Sequence, residues 1–244
     1  MTTVSINLVV RNGEKYIRHC LDAILLQTYP HEHIELNILD NGSIDNTKSI
    51  IENWKLKIGN SSFATFNLVE SKQNLGMWPG QEALMKHSNG KYILAMAVDV
   101  VIDNDFVVNA VKRMESDGNI GALQAKIYKF DVRDLKIEIW KLKIGGTIDT
   151  CGFQIFRSRR VINIGHGETD HGQFDEYKEI FGVEGAAPFF RAEALEDIRV
   201  KGEWVDKDFF WYGDDLDLAW RMRLFGWKEV FDPNVVAWHD RQTT

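Results

Sequence analysis

Strands alternate with helices over the first hundred residues, and this order limits the possible folds of the chain more than any other feature. A β-branched, apolar run from Val4 to Val10 precedes an amphipathic helical segment from Glu14 to Gln27. The same order continues in three further predicted strands, Ile34–Leu39, Phe66–Val69 and Tyr92–Val98. Short turns and wholly apolar strands predict an α/β fold with a Rossmann-like, mostly parallel central sheet flanked by helices.

The second half of the chain departs from this regular order. Gly121–Phe156 reads as strands with longer connections, and Arg157–Glu184 is polar and glycine-rich, which is typical of a long loop. Helices are predicted over Gln81–His87, Asn104–Met114, Ala192–Ile198 and Asp214–Phe225, and a last strand over Val235–Trp238. We therefore expect a single domain over residues 1–244, with its two halves meeting at residues 103 and 104.

Composition and charge narrow the class of protein. The chain has 29 Lys and Arg against 36 Asp and Glu, a net charge of −7, and no basic stripe with interleaved aromatics, so nucleic acid is not an expected partner. Two widely separated cysteines suit a reducing compartment, and no signal peptide or membrane span is visible. We expect a cytoplasmic protein; peripheral contact with the inner face of the cell membrane and formation of an oligomer are both left open.

Candidate binding residues follow the predicted strands. Ligands of parallel sheets bind beyond the carboxyl ends of the strands, and an acidic protein that handles an anionic ligand usually needs a cation there. The residues at these ends are Val10, Arg11, Asn12, Asp40, Asn41, Asn74, Leu75, Gly76 and Asp99.

Several ordered motifs resemble those of family-2 glycosyltransferases. They span nearly the whole chain: Val4–Ile17, Gln27–Pro30, Asp40–Thr47, Asn74–Gly76, Gly90–Leu94, Gly185–Arg191, Ala194–Leu195, Tyr212–Leu218 and Trp238–His239. The segment Gly165–Asp175 is also similar to the rhamnosyltransferase-like branch of that family.

The resemblance implies a GT-A fold and an inverting, metal-assisted transfer from a nucleoside-diphosphate sugar to a glycan or lipid-linked acceptor. The metal would be Mn²⁺ or Mg²⁺, and the donor of the dTDP-rhamnose or UDP-hexose type. Residues 1–103 would bind the nucleotide sugar, and residues 104–244 would bind the acceptor and supply the catalytic base. The implied nucleotide-binding residues are Val10, Asn12, Asp40, Asn41, Asn74, Gly76, Val98 and Asp99.

Asp40 has two interpretations. A carboxylate at this position suits the N3–H of a uracil or thymine ring, as the family implies. Asp-Asn-Gly-Ser is also turn chemistry in its own right, so a purely structural role stays open.

The expected metal site departs from the family pattern. The family carries an acid-x-acid motif where this chain has Ala97-Val98-Asp99, so the first acid is absent. The resemblance implies Asp99 and His239 as the protein's metal ligands, since a neutral imidazole is a good ligand for Mn²⁺. A strand-end cap at Asp99 and a structural histidine at position 239 are the plain alternatives.

A second histidine-rich segment is interpreted differently. His166 and His171 lie close in sequence to Glu168 and Asp170. We interpret this segment as part of a loop on the acceptor side rather than as a metal site.

Catalysis is expected at the start of the predicted helix from residue 214. An inverting transferase needs a base that takes the proton of the acceptor hydroxyl, and the acid–Asp pair of the family matches Asp214-Asp215. We predict Asp215 as this base and Asp214 as a residue that orders the site. Favourable interaction of acidic residues with a helix dipole is the structural alternative.

Small and aromatic residues are predicted to meet the sugar and the acceptor. Gly185 and Ala186 would let a sugar approach the backbone, and Trp211 or Tyr212 would stack on an acceptor. Two other functions stay open, a non-catalytic nucleotide-sugar or glycan-binding module and a nucleotidyltransferase. The first is favoured by Ala97; the second lacks a suitable glycine-rich phosphate loop after the first strand.

Overall fold

A computed structural model describes residues 1–59, 63–134, 146–176, 178–206, 209 and 213–241. Its strands are β1 Val4–Val10, β2 Ile34–Asn41, β3 Thr65–Ser71, β4 Tyr92–Ala97, β5 Val100–Ile102, β6 Ile120–Lys129, β7 Ile148–Thr150, β8 Phe153–Ile155, β9 Val161–Asn163, β10 Phe189–Arg191 and β11 Lys228–His239. Its α-helices are α1 Ile17–Leu25, α2 Thr47–Ile58, α3 Met77–Met85, α4 Phe106–Glu115, α5 Ala192–Asp197 and α6 Asp214–Leu224.

One twisted sheet carries strands from both halves of the chain. Its order is β3-β2-β1-β4-β10-β6-β11-β5, with β7 paired to β6, and β8 and β9 form a separate hairpin. The pairs β1–β2, β1–β4, β2–β3 and β6–β11 are parallel, whereas β10 is antiparallel to both β4 and β6. The carboxyl ends of β1, β2, β4, β6 and β11 therefore share one edge of the sheet.

Two apolar layers cover the faces of this sheet. Helices α1, α2 and α4 pack into the layer that contains Leu123, Ala125 and Ile127 of β6. The opposite layer contains Ala122 and Tyr128 of β6 and buried side chains of α5 and α6. Because successive strand residues point to opposite faces, this alternation explains why β6 is buried along nearly its whole length.

Several element boundaries differ from the sequence prediction. Strands β5, β9 and β10 were not predicted, since runs of three residues give little periodic signal. Helix α3 begins at Met77 rather than Gln81, and Pro79 is tolerated because it lies in the first turn. None of the helices in the described ranges combines the length and the apolar character that crossing a bilayer requires.

The last strand is much longer than predicted. It begins at Lys228 rather than Val235, and the sequence Asp232-Pro233-Asn234, which resembles a turn, lies inside it. A register shift between Asp232 and Val236 accommodates this segment, as a β-bulge does. Strand β11 therefore links Glu229 at one end with His239 at the carboxyl edge.

Candidate active site

The predicted nucleotide-binding residues lie side by side at the carboxyl edge. In the ladder, Val10 of β1 pairs with Asp40 of β2, and Val9 pairs with Ala97 of β4. Asp40 is buried, and its Oδ1 accepts a hydrogen bond from the Ser43 N–H at 2.9 Å. The turn interpretation thus accounts for one carboxylate oxygen of Asp40. Contact of the other oxygen with a nucleobase stays a prediction.

Asn12 joins the loop after β1 to the loop after β2. Its backbone N–H donates to Ser43 Oγ at 3.0 Å, and its Oδ1 accepts from the Ile44 N–H at 2.9 Å. Its φ of 50° lies in the left-handed region, which asparagine tolerates better than most residues. The side chain that was predicted to touch nucleotide therefore also fixes the shape of this edge.

Asn41 likewise joins two loops, the one after β2 and the one after β3. Its Nδ2 donates to Asn74 Oδ1 and to the Gly76 carbonyl, and its Oδ1 accepts from the Leu75 N–H. Asn74 Oδ1 also accepts from the Gly76 N–H at 3.0 Å. Asn41, Asn74 and Gly76 are thus brought together as predicted, in a network that sets the loop leading into α3.

Val98 packs directly against the start of the chain's first loop. A Cβ placed on Gly13 would lie 2.5 Å from Val10 Cγ2 and 3.1 Å from Val98 Cγ2. Such contacts are shorter than van der Waals distance, so position 13 has no room for a side chain. This close packing joins the ends of β1 and β4 at the carboxyl edge of the sheet.

Asp99 and His239 face each other across the ends of β4 and β11. Nε2 of His239 lies 3.5 Å from Oδ1 of Asp99, and the Asp240 N–H donates to the Asp99 carbonyl at 3.0 Å. On its other side, His239 Nδ1 lies 2.9 Å from Oδ2 of the fully buried Asp149. Asp149 was not predicted from the sequence, and its carboxylate fixes the orientation of the imidazole.

The pKa values of this group follow from its charges. Burial lowers the pKa of His239, but hydrogen bonds to Asp149 and Asp99 raise it more, to about 10. Burial would raise the pKa of Asp149, yet the hydrogen bond from His239 and the charge of Arg241 bring it below its ordinary value. The protein alone thus favours a positive charge between Asp99 and Asp149.

These donors fit part of a divalent-cation site. A cation would have to displace the Nε2 proton of His239, which would then direct its Nε2 lone pair towards Asp99 while Nδ1–H is donated to Asp149, as in carboxylate–histidine–metal sites. Within the described ranges, no three His, Cys, Asp or Glu side chains are grouped to hold a metal ion. Remaining coordination positions would therefore fall to other ligands, such as donor phosphate oxygens and water.

Arg241 connects the histidine to the loop at residues 184–186. Its guanidinium lies 3.1 Å from Asp149 Oδ1 and forms an ion pair with Glu184. Glu184 in turn accepts from the Ala186 N–H at 3.0 Å, and its own N–H donates to Gln124 at 2.7 Å. A chain of charged contacts thus runs from Asp99 to the loop at residues 184–186.

His166 adds a further contact to Asp149. Its Nδ1 lies 2.7 Å from the Asp149 carbonyl oxygen and 3.5 Å from Asp149 Oδ1. In contrast, Asp170 from the same predicted loop points elsewhere and pairs with Lys126 at 3.0 Å. The histidine-rich segment is therefore divided between two separate clusters.

Asp215 lies in the first turn of α6, two residues after Gly213, which caps the helix. Burial, with repulsion from Glu184 and Asp214, raises the pKa of Asp215 to about 7. The Leu216 N–H donates to Asp215 Oδ1 at 2.9 Å. The pKa of Asp214 is also raised, chiefly by burial. A carboxylate with a pKa near neutrality is suited to proton transfer at physiological pH.

Gly185 forms the wall opposite this carboxylate. A Cβ on Gly185 would lie 3.6 Å from both Asp215 Oδ2 and Trp78 Nε1, so a larger side chain would enter the space beside the carboxylate. The Ala186 side chain packs in the core, and its carbonyl accepts from the Ala97 N–H. Because its side chain is buried, Ala186 would have to contact a sugar through its backbone. This contact stays a prediction. Trp211 and Tyr212 lie outside the described residues.

Three charged residues of the site were missed because their partners are distant in sequence. Asp149 lies 90 residues before His239, and Arg241 lies 57 residues after Glu184. A weak signal was present at Asp149, a carboxylate between the apolar residues Ile148 and Cys151. Isolated buried charges in an apolar strand need a partner, and this rule would have selected it.

Comparison with known proteins identifies the family. The model of Glycosyl transferase family 2 matches residues 5–199. Poly-β-1,6-N-acetyl-D-glucosamine synthase of Staphylococcus epidermidis is 23% identical over 240 residues, which cover 96% of this chain and 49% of that protein. The same enzyme of Staphylococcus aureus strain COL is 23% identical over 231 residues, with 95% and 48% coverage. The chain thus spans about half the length of these relatives.

Solved structures share the fold at low sequence identity. A mannosyltransferase from Pyrobaculum calidifontis, solved with GDP-Man and Mn²⁺, superposes with a TM-score of 0.69 at 20% identity, covering 98% of this chain and 57% of that one. TarS 1-349 of S. aureus with UDP-GlcNAc gives 0.66 at 14% identity, with 99% and 59% coverage. GalNAc-T7 with UDP, GalNAc and Mn²⁺ gives 0.75 at 12% identity, with 98% and 44% coverage.

These likenesses confirm the predicted GT-A architecture. The mixed sheet, with its parallel first half, agrees with the fold of the three solved transferases. The family model covers well over half of the residues, and the matched region includes Asp40, Asp99 and Gly185. The chain belongs to glycosyl transferase family 2.

Proposed function

We propose that this chain catalyses inverting transfer of a sugar from a nucleoside diphosphate to the hydroxyl group of a glycan or lipid-linked acceptor, with Asp215 as the general base. The observation that supports this most is the joining of two groups at one edge of the sheet. Asp215 lies beside Gly185 with a pKa raised to about 7, and Glu184, Arg241 and Asp149 connect this position to His239 and Asp99.

The proposed reaction is a single displacement. The acceptor oxygen forms a bond to the anomeric carbon while the bond from that carbon to the donor's phosphate oxygen breaks. The acceptor proton passes to the Asp215 carboxylate, and the nucleoside diphosphate leaves with the bonding electron pair. Burial of Asp215 and its repulsion by Glu184 and Asp214 make its carboxylate a stronger base than an exposed aspartate.

Asp99 and His239 are the residues we assign to a divalent cation. Such a cation would neutralise charge on the departing diphosphate. Asp149 holds the imidazole in place through Nδ1 and so leaves Nε2 directed at Asp99. Ala97 contributes no carboxylate, so Asp99 carries the role that two acids share in most family members.

In this proposal, the two halves of the chain bind different substrates. Residues 1–103 would bind the nucleotide through Val10, Asn12, Asp40 and the loop of Asn41, Asn74 and Gly76, with Val98 and Asp99 at the end of β4. Residues 104–244 would hold the acceptor next to Gly185 and Asp215. Trp211 and Tyr212 remain our proposal for stacking on the acceptor sugar, on the basis of their sequence position before Asp214.

For the donor, we propose a pyrimidine nucleotide. The remaining oxygen of Asp40 is suited to accept the N3–H of uracil or thymine. TarS was solved with UDP-GlcNAc, and the staphylococcal relatives are named for a polymer of N-acetylglucosamine, which supports a UDP-hexose. The likeness of Gly165–Asp175 to rhamnosyltransferase-like enzymes keeps dTDP-rhamnose as the second donor.

A nucleotide panel tests this assignment. UDP, dTDP and GDP are added to the protein with Mn²⁺ or with EDTA, and the melting temperature is recorded. A hundredfold excess of a true ligand over its dissociation constant stabilises the fold by about 2.7 kcal/mol. We expect UDP or dTDP to stabilise only with Mn²⁺, and Asp40→Ala to weaken this effect. Preference for GDP would contradict the pyrimidine assignment.

A non-catalytic binding module is the second candidate, because Ala97 removes one acid of the family motif. This candidate and the transferase make different predictions for donor turnover. Wild-type protein is incubated with UDP-GlcNAc, UDP-Glc or dTDP-rhamnose and Mn²⁺, and released nucleotide is measured with and without oligosaccharide acceptors. Binding without any turnover would favour the module.

A further inference from the structure

The tip of the β8–β9 hairpin carries three exposed arginines. The Phe156 N–H donates to the Arg160 carbonyl at 2.9 Å, and the Arg159 N–H donates to the Phe156 carbonyl at 2.8 Å, which closes a tight turn. Arg157, Arg159 and Arg160 are exposed, and among the residues that the structure describes no carboxylate lies within ion-pair distance of them. Within the described part of the chain, these three guanidinium groups therefore face solvent without a paired carboxylate.

This hairpin packs against helix α6. Phe153 of β8 forms a buried apolar cluster with Phe181 and Ala219, and Leu216 of α6 packs against it. The Phe181 ring meets Trp220 edge to face, with centroids 5.0 Å apart. The Arg223 guanidinium lies 5.4 Å from the Phe181 ring centroid. Phe181 thus links the hairpin to Trp220 and Arg223 of α6, and Ile155 of β8 lines the same groove as Arg223.

Large apolar side chains are exposed on the hairpin and along the C-terminal half of α6. Trp220 is 48% exposed and Leu224, one turn further along α6, is 77% exposed. Phe225 at the helix end is 57% exposed, and Phe156 on the hairpin is 43% exposed. We define these four residues, with Arg157, Arg159, Arg160 and Arg223, as the arginine–aromatic face.

We propose that the arginine–aromatic face docks the protein onto an anionic lipid bilayer. The chain has a net charge of −7, yet this face carries four arginines. Among the described residues, the carboxylate within ion-pair distance of them is Glu179, 3.5 Å from Arg223. Aromatic side chains favour the headgroup region of a bilayer, and arginines are attracted to anionic lipids. The hairpin tip at residues 156–160 and the helix end at residues 224–226 are both exposed, which suits contact with a broad surface.

The position of α6 relates this docking to the proposed catalytic base. Asp215 is the second residue of the helix and Leu224 is its last, and the nine-residue step between them spans about 14 Å. Docking through Leu224 would therefore keep the base roughly one helix length from the bound end, within reach of a sugar on a lipid-linked acceptor. This use depends on the proposed function, whereas the docking itself requires neither donor nor catalysis.

Vesicle sedimentation tests the docking. Wild-type chain is mixed, without nucleotide, with vesicles of phosphatidylcholine alone or of phosphatidylcholine with phosphatidylglycerol. We expect binding only to the anionic vesicles and weaker binding at high salt, because salt screens exposed charges. The variant R157A/R159A/R160A should lose more than about tenfold in affinity, since each arginine near an anionic surface contributes separately.

Two further variants separate charge from apolar contact. K57A/K86A/K112A removes the same charge from exposed sites on other helices and connections, and it should bind anionic vesicles like wild type. Leu224→Ser with Phe225→Ser replaces two exposed apolar side chains, so it should fold normally and bind the vesicles more weakly. Circular dichroism and melting curves check that each variant is folded.

Several results would overturn the proposal. These are equal binding to both kinds of vesicle, no binding at all, or unchanged binding by R157A/R159A/R160A. A dimer in light scattering that Leu224→Ser with Phe225→Ser converts to monomer would assign the face to a second copy instead. Asp215→Asn should bind vesicles like wild type, so failure of the docking proposal and failure of the transferase proposal are distinguishable.

Discussion

At the scale of single residues, the protonation state of Asp215 should control the pH dependence of the reaction. Its pKa is raised to about 7 by burial and by Glu184 and Asp214, and only the deprotonated form accepts a proton. We therefore expect kcat/KM for sugar transfer to rise with pH through about 7 and to level off above it. A rate profile between pH 5 and pH 9 measures this. A flat profile down to pH 5 would contradict the assigned base.

The same residue should destabilise the folded chain at high pH. An acid whose pKa is raised on folding binds its proton more tightly in the folded state, so stability falls as pH rises towards that pKa. Asp215→Asn removes the buried charge and should raise the free energy of unfolding at pH 8 by about 1 to 3 kcal/mol, after allowance for solvent screening. Denaturant titrations at pH 8 and pH 5 test this, because the gain should shrink at pH 5.

Asp149 should act on metal binding through His239. Replacing it with Leu removes the partner of Nδ1 and leaves the imidazole free to turn, so we expect Mn²⁺ affinity to fall roughly 10- to 100-fold. Asp149→Asn keeps an acceptor for Nδ1–H and should lose less. Calorimetry with Mn²⁺ and UDP measures the effect.

A matched control for Asp149 is available in the second cluster. Asp170 is also buried and ion-paired, but with Lys126, and Asp170→Asn should leave Mn²⁺ affinity unchanged. Equal Mn²⁺ affinity of Asp149→Leu and wild type would show that Asp149 does not position the histidine.

The residues that the sequence predicted and those it missed differ in a physical way. Asp99, Asp215 and His239 each lie at or next to an end of a regular element, so local pattern and family motifs select them. Asp149, Glu184 and Arg241 become part of the site only when β7, β11 and the loop before β10 meet. Their pairing depends on tertiary contacts, which no local pattern contains.

At the scale of elements, β11 supports the loop at residues 183–186 through Glu229. This residue is fully buried, and its Oε2 accepts from the Val183 N–H at 2.7 Å, next to the loop that carries Glu184 and Gly185. Burial raises the pKa of Glu229 to about 8, so its carboxyl group stays protonated at neutral pH in the folded state.

We therefore expect ionisation of Glu229 to lower the free energy of unfolding as pH rises. The unfolded chain releases this proton near pH 4.5 and the folded chain near pH 8, so stability should fall between those values. Glu229→Gln keeps an acceptor for Val183 without the ionisation. We expect it to resemble wild type at pH 5 and to be more stable at pH 9, as measured by urea unfolding. Equal stability of the two proteins at pH 9 would contradict this.

The sequence predicted the parallel half of the sheet better than the mixed half. Strand β4 is wholly apolar, and apolar residues recur at every second position over Val4–Leu8 of β1 and Ile34–Ile38 of β2. Clear helices separate these strands, so their pattern is distinct. Strand β11 contains Asp232-Pro233-Asn234, whose local preference is for a turn, and only the pairing with β6 on either side of the bulge makes it one strand.

At the scale of the whole molecule, the proposed catalytic base and the proposed membrane contact lie at opposite ends of α6. The N-terminal end places Asp215 beside Gly185, and the C-terminal end carries the exposed Leu224 and Phe225. The chain spans about half of its staphylococcal relatives, and the residues proposed for donor, metal and base all lie within it. Under the proposed function, we therefore expect this chain to turn over a nucleotide sugar.

Donor turnover by wild type and Asp215→Asn tests this central claim most directly. Released nucleotide is measured with Mn²⁺ and the stabilising donor, and binding of the same nucleotide is measured by calorimetry. We predict that Asp215→Asn loses roughly 100-fold or more in kcat while nucleotide affinity is retained. Asp217→Asn, on the same first turn of α6, should stay close to wild type. Full activity of Asp215→Asn would contradict the account.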